Sequence, residues 1–182
     1  MPVDMMQHVL TFPVSDRDHI QGPATAEVTV VEYGDYQCPY CLQAYPIMLD
    51  IQQHMGDRMR LVFRNYPRTD VHPDAQDAAE AAECAGAQGK FWPMHDYLFE
   101  HQSRLNHESL LGYAADIGLD VPRFQRDMES HAFAPRVRED FLSGVQSGVT
   151  DTPTFFINGL LHGGPWNLET LTAEIVAAVD QR

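Results

Sequence analysis

The chain has 182 residues, 44% of them hydrophobic and 10% aromatic, enough for one domain with a full core or one domain carrying a large insertion. Lys and Arg number 12 against 26 Asp and Glu, and the net charge of −14 argues against nucleic acid and anionic membrane surfaces as partners. No apolar run approaches the roughly 18 residues of a membrane span, and three cysteines are too few for a secreted disulfide scaffold.

Residues 1–26 read as an irregular N-terminal arm, interrupted by Pro2, Pro13, Gly22 and Pro23 and kept polar by Ser15, Asp16, Arg17 and Asp18. The first ten residues hold no Lys or Arg and no long apolar stretch. They do not read as a secretory signal, which points to the cytoplasm, with a trimmed mature form as the alternative. Residues 27–33 (EVTVVEY) predict a buried strand, followed by turn residues Gly34 and Asp35. Cys38 comes next, and Pro39 fits the first position of a helix that runs to Gly56, with Pro46 expected to kink it. Residues 59–66 (MRLVFRNY) predict a second strand, with Met59, Leu61 and Phe63 inward and Arg60 and Arg64 outward.

Helices are expected over 73–88, 90–101, 107–117, 121–130 and 134–147; the last places Val137, Phe141, Leu142 and Val145 on one apolar stripe. Strand character returns at Thr154–Ile157, and Asn158-Gly159 before Leu160-Leu161 is a strong hairpin signal. A final helix spans about 167–180, capped by Asn167 and burying Leu168, Leu171, Ile175, Val176 and Val179. The first strand–helix–strand unit must be parallel and right-handed. The class is therefore α/β with a helical block in its middle.

Cys38 and Cys41 form a Cys-x-x-Cys at a strand-to-helix turn. The first N–H groups of a helix are unpaired and carry its positive dipole end, so a thiolate at Cys38 is stabilised, with a pKa expected in the range of about 3.5–7.5. Cys41 lies one turn deeper on the same face and stays a thiol until needed. That asymmetry predicts disulfide exchange: one cysteine takes part in the attack and the other resolves the mixed disulfide. Half of a zinc site is the other use of such a pair, but four ligands are required. Neither Cys84 nor the nine histidines show the spacing, so no metal is expected. Strand alternation puts Glu32 on the face of Val28 and Val30. Buried there, its carboxyl would have a raised pKa suited to moving the proton of Cys41; the alternative is a solvated or Arg-paired Glu. Cys84 reads as a small buried residue. Phe91, Trp92, Tyr97 and Phe99 read as core of the helical block, with a substrate groove as the alternative use. The histidines receive no function.

Residues 31–41 (VEYGDYQCPYC) resemble the active-site strand and helix of the DsbA-like thioredoxin-fold oxidoreductases. Residues 148–159 (GVTDTPTFFING) resemble that family's cis-proline loop, strand and hairpin, and residues 85–92 (AGAQGKFW) its inserted helical segment. The resemblance implies a thioredoxin fold, βαβ-αββα, over residues 27–68 and 132–182, with an inserted all-helical domain over 69–131. It implies Cys38 as nucleophile, Cys41 as resolving cysteine, Glu32 as the buried acid beneath the dithiol, and Pro153 as a cis-proline facing it. Pro39 and Tyr40 would tune the dithiol, and Tyr36 and Thr152 would bind substrate. Asp151 departs from the Gly that many relatives carry there.

The implied activity is thiol–disulfide exchange on protein substrates or small thiols and disulfides. No bound cofactor is expected; glutathione or a thioredoxin-type reductant would supply electrons. The Pro39-Tyr40 dipeptide is shared with glutaredoxins, near about −200 to −230 mV, between thioredoxin at about −270 and DsbA at about −120. In the cytoplasm such a couple is mostly reduced and works as a reductase or isomerase. The competing functions are a glutaredoxin-like enzyme, a glutathione-dependent transferase or isomerase (against which the retained Cys41 argues) and a non-catalytic holdase.

Overall fold

The computed structural model describes residues 8–181, so residues 1–7 of the expected arm lie outside the described residues. Strand β1 (His19–Gln21) precedes β2 (Val28–Gly34), helix α1 (Pro39–Met55), a short 3-10 turn and β3 (Met59–Asn65). Four helices follow: α2 (Ala75–Gly86), α3 (Phe91–Glu100), α4 (His107–Asp116) and α5 (Val121–Glu129). Helix α6 (Ala134–Gln146) then leads to β4 (Thr154–Ile157), β5 (Leu160–Leu161) and α7 (Leu168–Asp180). Among the described residues these make one five-stranded sheet in the order β1-β3-β2-β4-β5.

The β2 run of Val and Tyr has both neighbours in the sheet. It pairs parallel with β3, Glu32 beside Phe63, and antiparallel with β4, Glu32 beside Phe155. Both faces are covered, as such apolar strands require. Val28 and Val30 pack with Met48, Ile51, Leu171 and Ile175 of α1 and α7. Val31 and Tyr33 pack on the other side with Val62, Tyr66 and Phe156. Asn158 and Gly159 both take positive φ, 47° and 83°, the geometry of the tight turn expected between β4 and β5. Side-chain caps on Asn106, Asp120 and Asn167 accept N–H groups of Ser109, Arg123 and Thr170 and start α4, α5 and α7.

Four expectations are corrected. The arm is not wholly irregular: His19–Gln21 adds an antiparallel edge strand to β3. Arg64 does not face solvent. It is 4% exposed, because the arm folds over it. Its guanidinium donates to Asp18 at 2.8 and 3.0 Å, to the Tyr33 hydroxyl at 2.9 Å and to the carbonyls of Phe12 and Pro13. In α6 the buried face is Val137, Asp140, Ser143 and Gly144, while Leu142 and Val145 are exposed. Polar residues win there because Asp140 accepts the Asn65 N–H and Ser143 meets the Tyr33 hydroxyl. Leu168, at the first position of α7, is exposed and not part of its buried face. Pro46 lies inside α1, which continues through it.

Candidate active site

β2 delivers the site. At its end Gly34 is required by close approach, since a Cβ there would sit 2.5 Å from the Phe63 ring. The chain then turns, the Cys38 N–H donating to the Asp35 carbonyl at 3.1 Å, and Cys38 becomes the N-cap of α1 with Pro39 at the first helical position. No side chain caps this end, so the helix presents its free N–H groups to the Cys38 sulfur. Cys38 Sγ lies 3.6 Å from the Thr152 carbonyl oxygen. The Thr152–Pro153 peptide bond is cis, and Pro153 is buried.

The two thiols are electrostatically unlike. A hydrogen bond from the Cys41 thiol, together with others from Thr152 and the helix N–H groups, outweighs burial and brings the Cys38 pKa down to about 5. Among the described residues the buried Thr152 hydroxyl has no hydrogen-bond partner. Burial pushes the Cys41 thiol well above its ordinary range, reinforced by its bond to Cys38 and the charge of Glu32. The Asp35 N–H points at Cys41 Sγ from 3.4 Å. Glu32 is 3% exposed, and burial raises its carboxyl to about 8. Cys84 is buried in α2, where burial raises it to about 12, far from any reactive range. The arrangement holds one thiolate and one thiol at neutral pH, with the Glu32 carboxyl close enough for its charge to raise Cys41 further.

The structure therefore brings Cys38, Cys41, Glu32 and Thr152 into one electrostatic unit, with Pro153 next in the chain. Pro39 and Tyr40 are exposed on the first turn, Tyr40 at 59%, its ring edge-on to Trp166 at a centroid distance of 6.4 Å. Tyr36 is not at a substrate surface. It is 1% exposed, its hydroxyl is bonded to His95 Nδ1 at 3.0 Å, and its carbonyl accepts from Gln102. Its ring packs against Phe63 and Phe99, which removes it from the expected substrate-binding set.

Several residues near the site carry no sequence assignment. The Asp35 carboxylate accepts the N–H groups of Gln37 at 2.7 Å and Arg68 at 2.8 Å and meets His72 Nδ1 at 2.7 Å. Its turn with Gln37 is a local Asp signature readable in the sequence; the partners from 68 and 72 are not. Arg68 also donates to the Thr150 carbonyl and to Asp151, linking the loop after β3 to the Thr152–Pro153 loop. His95, given no function in the sequence, is enclosed by aromatic rings, and burial lowers its pKa to about 3, so it is neutral. Among the described residues no group of three or more His, Cys, Asp or Glu is placed to hold a metal ion.

A family model described as Thioredoxin matches residues 15–177. BdbD from Bacillus subtilis in its oxidised form superposes with a TM-score of 0.84 at 23% identity, over 96% of this chain and 99% of that one. A thioredoxin-like oxidoreductase from Silicibacter pomeroyi DSS-3 gives a TM-score of 0.80 at 28% identity, over 92% of this chain and 95% of that one. The chain is also 49% identical over 170 residues to the Na(+)/H(+) antiporter NhaA 1 of Salinispora arenicola, a match covering 93% of this chain and 26% of that protein. The chain thus spans about a quarter of the length of the curated relatives it matches. No helix among the described residues is long and apolar enough to cross a membrane.

Proposed function

The chain belongs to the thioredoxin family, with the fold of the DsbA-like thiol–disulfide oxidoreductases, and on that premise we propose that it exchanges disulfides on protein substrates through Cys38 and Cys41. The carrying observation is the placement of the two thiols, Cys38 at the uncapped N-terminus of α1 and 3.6 Å from the Thr152 carbonyl, Cys41 fully buried one turn deeper, which lowers the first thiol and raises the second. In the reductase direction the Cys38 thiolate attacks a substrate disulfide, forming a mixed disulfide and releasing one substrate thiol. Cys41 gives its proton to the Glu32 carboxylate and attacks Cys38 Sγ, and the second substrate thiol leaves. The substrate gains two electrons and the enzyme ends as the Cys38–Cys41 disulfide. In the reverse direction protonated Glu32 returns the proton to Cys41.

A pKa near 5 lies between the values of roughly 7 for thioredoxin and 3.5 for DsbA, which supports an intermediate potential. In the cytoplasm glutathione holds such a couple mostly reduced, so we assign the reductase or isomerase direction there. Glutathione or a thioredoxin-type protein restores the dithiol in this reading. Residues 27–68 and 132–182 carry the exchange chemistry in this reading, residues 69–131 form the helical insert above it, and residues 1–26 are the arm. Cys38, Cys41, Glu32 and Pro153 are its catalytic set, Pro39 and Tyr40 tune the thiolate, and the Thr152 backbone meets the substrate strand. The ion exchange named for the longer relatives is not part of this proposal.

The test is trapping. Cys41→Ser leaves Cys38 able to form mixed disulfides that nothing internal resolves. Acid-quenched extracts run on non-reducing gels should show protein adducts on Cys38, absent when Cys38 is also changed to Ser. Adducts confined to glutathione would replace the reading with a glutaredoxin-like one, favoured by the shared Pro39-Tyr40 dipeptide. No adduct of either kind contradicts exchange chemistry altogether.

A further inference from the structure

Beside the nucleophile an open groove of about 620 Å³ runs between α1 and the C-terminal end of α3. We propose that this groove seats a basic side chain of the substrate polypeptide close to its reacting cysteine, with Glu100 as the specificity-determining charge. The inference rests on the disulfide-exchange reading above and adds the substrate class.

The groove is joined to the reaction centre by its polar end. Gln102 Nε2 donates to the carbonyl oxygens of Tyr36 and Cys38, each at 2.9 Å, and Gln37, the residue before Cys38, lines the same end. A substrate held at Cys38 therefore has the groove within a few residues of its cysteine. The walls are apolar: Leu42 and Pro46 are exposed along α1, Tyr45 is half-buried and Phe99 is buried beneath. Such a surface takes the methylene stem of Lys or Arg and leaves the charged head free.

Charge decides between a basic and an apolar occupant. Glu100 lines the groove and is exposed. The Tyr45 hydroxyl donates to Asp96 at 3.0 Å and reaches Glu100 at 3.4 Å, so a second carboxylate lies one hydrogen bond behind the wall. At the other end Asp74 is bonded to Gln37. Among the described residues, none that lines the groove is Lys or Arg. An apolar side chain there would desolvate Glu100 without a counter-charge, and an acidic one would be repelled. A cationic head gains a charge-assisted bond while its stem covers Leu42 and Pro46.

The experiment measures second-order oxidation of the reduced full chain by short peptides. Each carries its single cysteine as a mixed disulfide with 2-mercaptoethanol and differs only in Lys, Gln or Glu two residues from that cysteine. One turnover reduces the peptide disulfide and leaves Cys38–Cys41 oxidised, so no recycling partner is needed. The Lys peptide should react about fivefold faster than the Glu peptide at low salt, the scale of one exposed ion pair gained and one like-charge contact avoided. Glu100→Gln should bring the ratio of the Lys to the Glu peptide below about twofold, and Glu100→Lys should invert it. Asp57→Asn, past the far end of α1, should leave the ratio unchanged. Equal ratios in wild type and Glu100→Gln would overturn the proposal, as would an equal drop in Asp57→Asn, which would assign the preference to net charge. Failure of the wild-type chain to oxidise with any peptide would instead remove the exchange reading on which the proposal stands.

Discussion

His72 Nδ1 lies 2.7 Å from Asp35 Oδ2, and this contact ties the loop after β3 to the turn that carries both cysteines. The Asp35 side chain is fully buried, its N–H meets Cys41 Sγ, and its carbonyl receives the Cys38 N–H. One residue thus orients both sulfurs through its backbone while its carboxylate anchors that backbone. Asp35→Ala strands the N–H groups of Gln37 and Arg68 together with His72. It should lower stability by roughly 3 kcal/mol. It should also raise the pH at which Cys38 becomes reactive. Urea unfolding and the pH profile of Cys38 alkylation check the two halves; a stability loss with an unmoved profile would make Asp35 structural only.

Glu32 should give the protein an unusual stability profile. Its folded pKa of about 8 is raised from 4.5, so its stabilising contribution is complete below about 4.5 and is lost as pH rises through 8. Cys38 has the opposite sign. Its folded pKa of about 5 is lowered from 9.0, so its contribution is complete above about 9 and is lost as pH falls through 5. In the reduced protein the two slopes oppose each other between pH 5 and 8. Glu32→Gln removes the falling slope. The variant should be more stable than wild type by roughly 2–4 kcal/mol at pH 8 and nearly equal to it at pH 4.5, and in reduced form should gain stability as pH rises. Urea midpoints at pH 4.5, 6.5 and 8 supply the check, and a difference independent of pH would contradict the buried acid.

Arg64 and Asp18 fasten the N-terminal arm across the sheet. Arg64→Met leaves Asp18 and the Tyr33 hydroxyl without their cation and should cost about 3–5 kcal/mol. The arm should become cleavable at Arg17 under limited trypsin treatment while Cys38 keeps its reactivity, because the arm lies away from the dithiol. Unchanged protection at Arg17 would show that β1 alone holds the arm.

Much of this architecture is legible in local sequence. The Val-rich run before Cys38, the Ala-rich segment of α2, the cap at Asn167 and the Asn158-Gly159 turn are each settled by residues within a few positions of one another. So is the Cys-x-x-Cys at a strand-to-helix turn, whose electrostatics follow from helix geometry. What escaped depends on distant partners. Arg64 reads as outward because its burial is supplied by Asp18, 46 residues earlier. Asp35 meets His72 across 37 residues, and no spacing announces that. The α6 stripe misled because Asp140 and Ser143 face inward to serve Asn65 and Tyr33, which leaves Leu142 and Val145 outside. His19–Gln21 is too short to show the alternation that identifies a strand.

Disulfide exchange in the direction proposed requires Cys38 to be the thiolate of the pair. The direct measurement is the rate of alkylation of the reduced protein by limiting iodoacetamide from pH 3 to 10, with each cysteine followed separately by mass spectrometry. The predicted result is labelling of Cys38 first at every pH, with an inflection near pH 5 and with Cys41 and Cys84 inert through pH 8. An inflection near 8.5 at Cys38, or earlier labelling of Cys41 or Cys84, would contradict it.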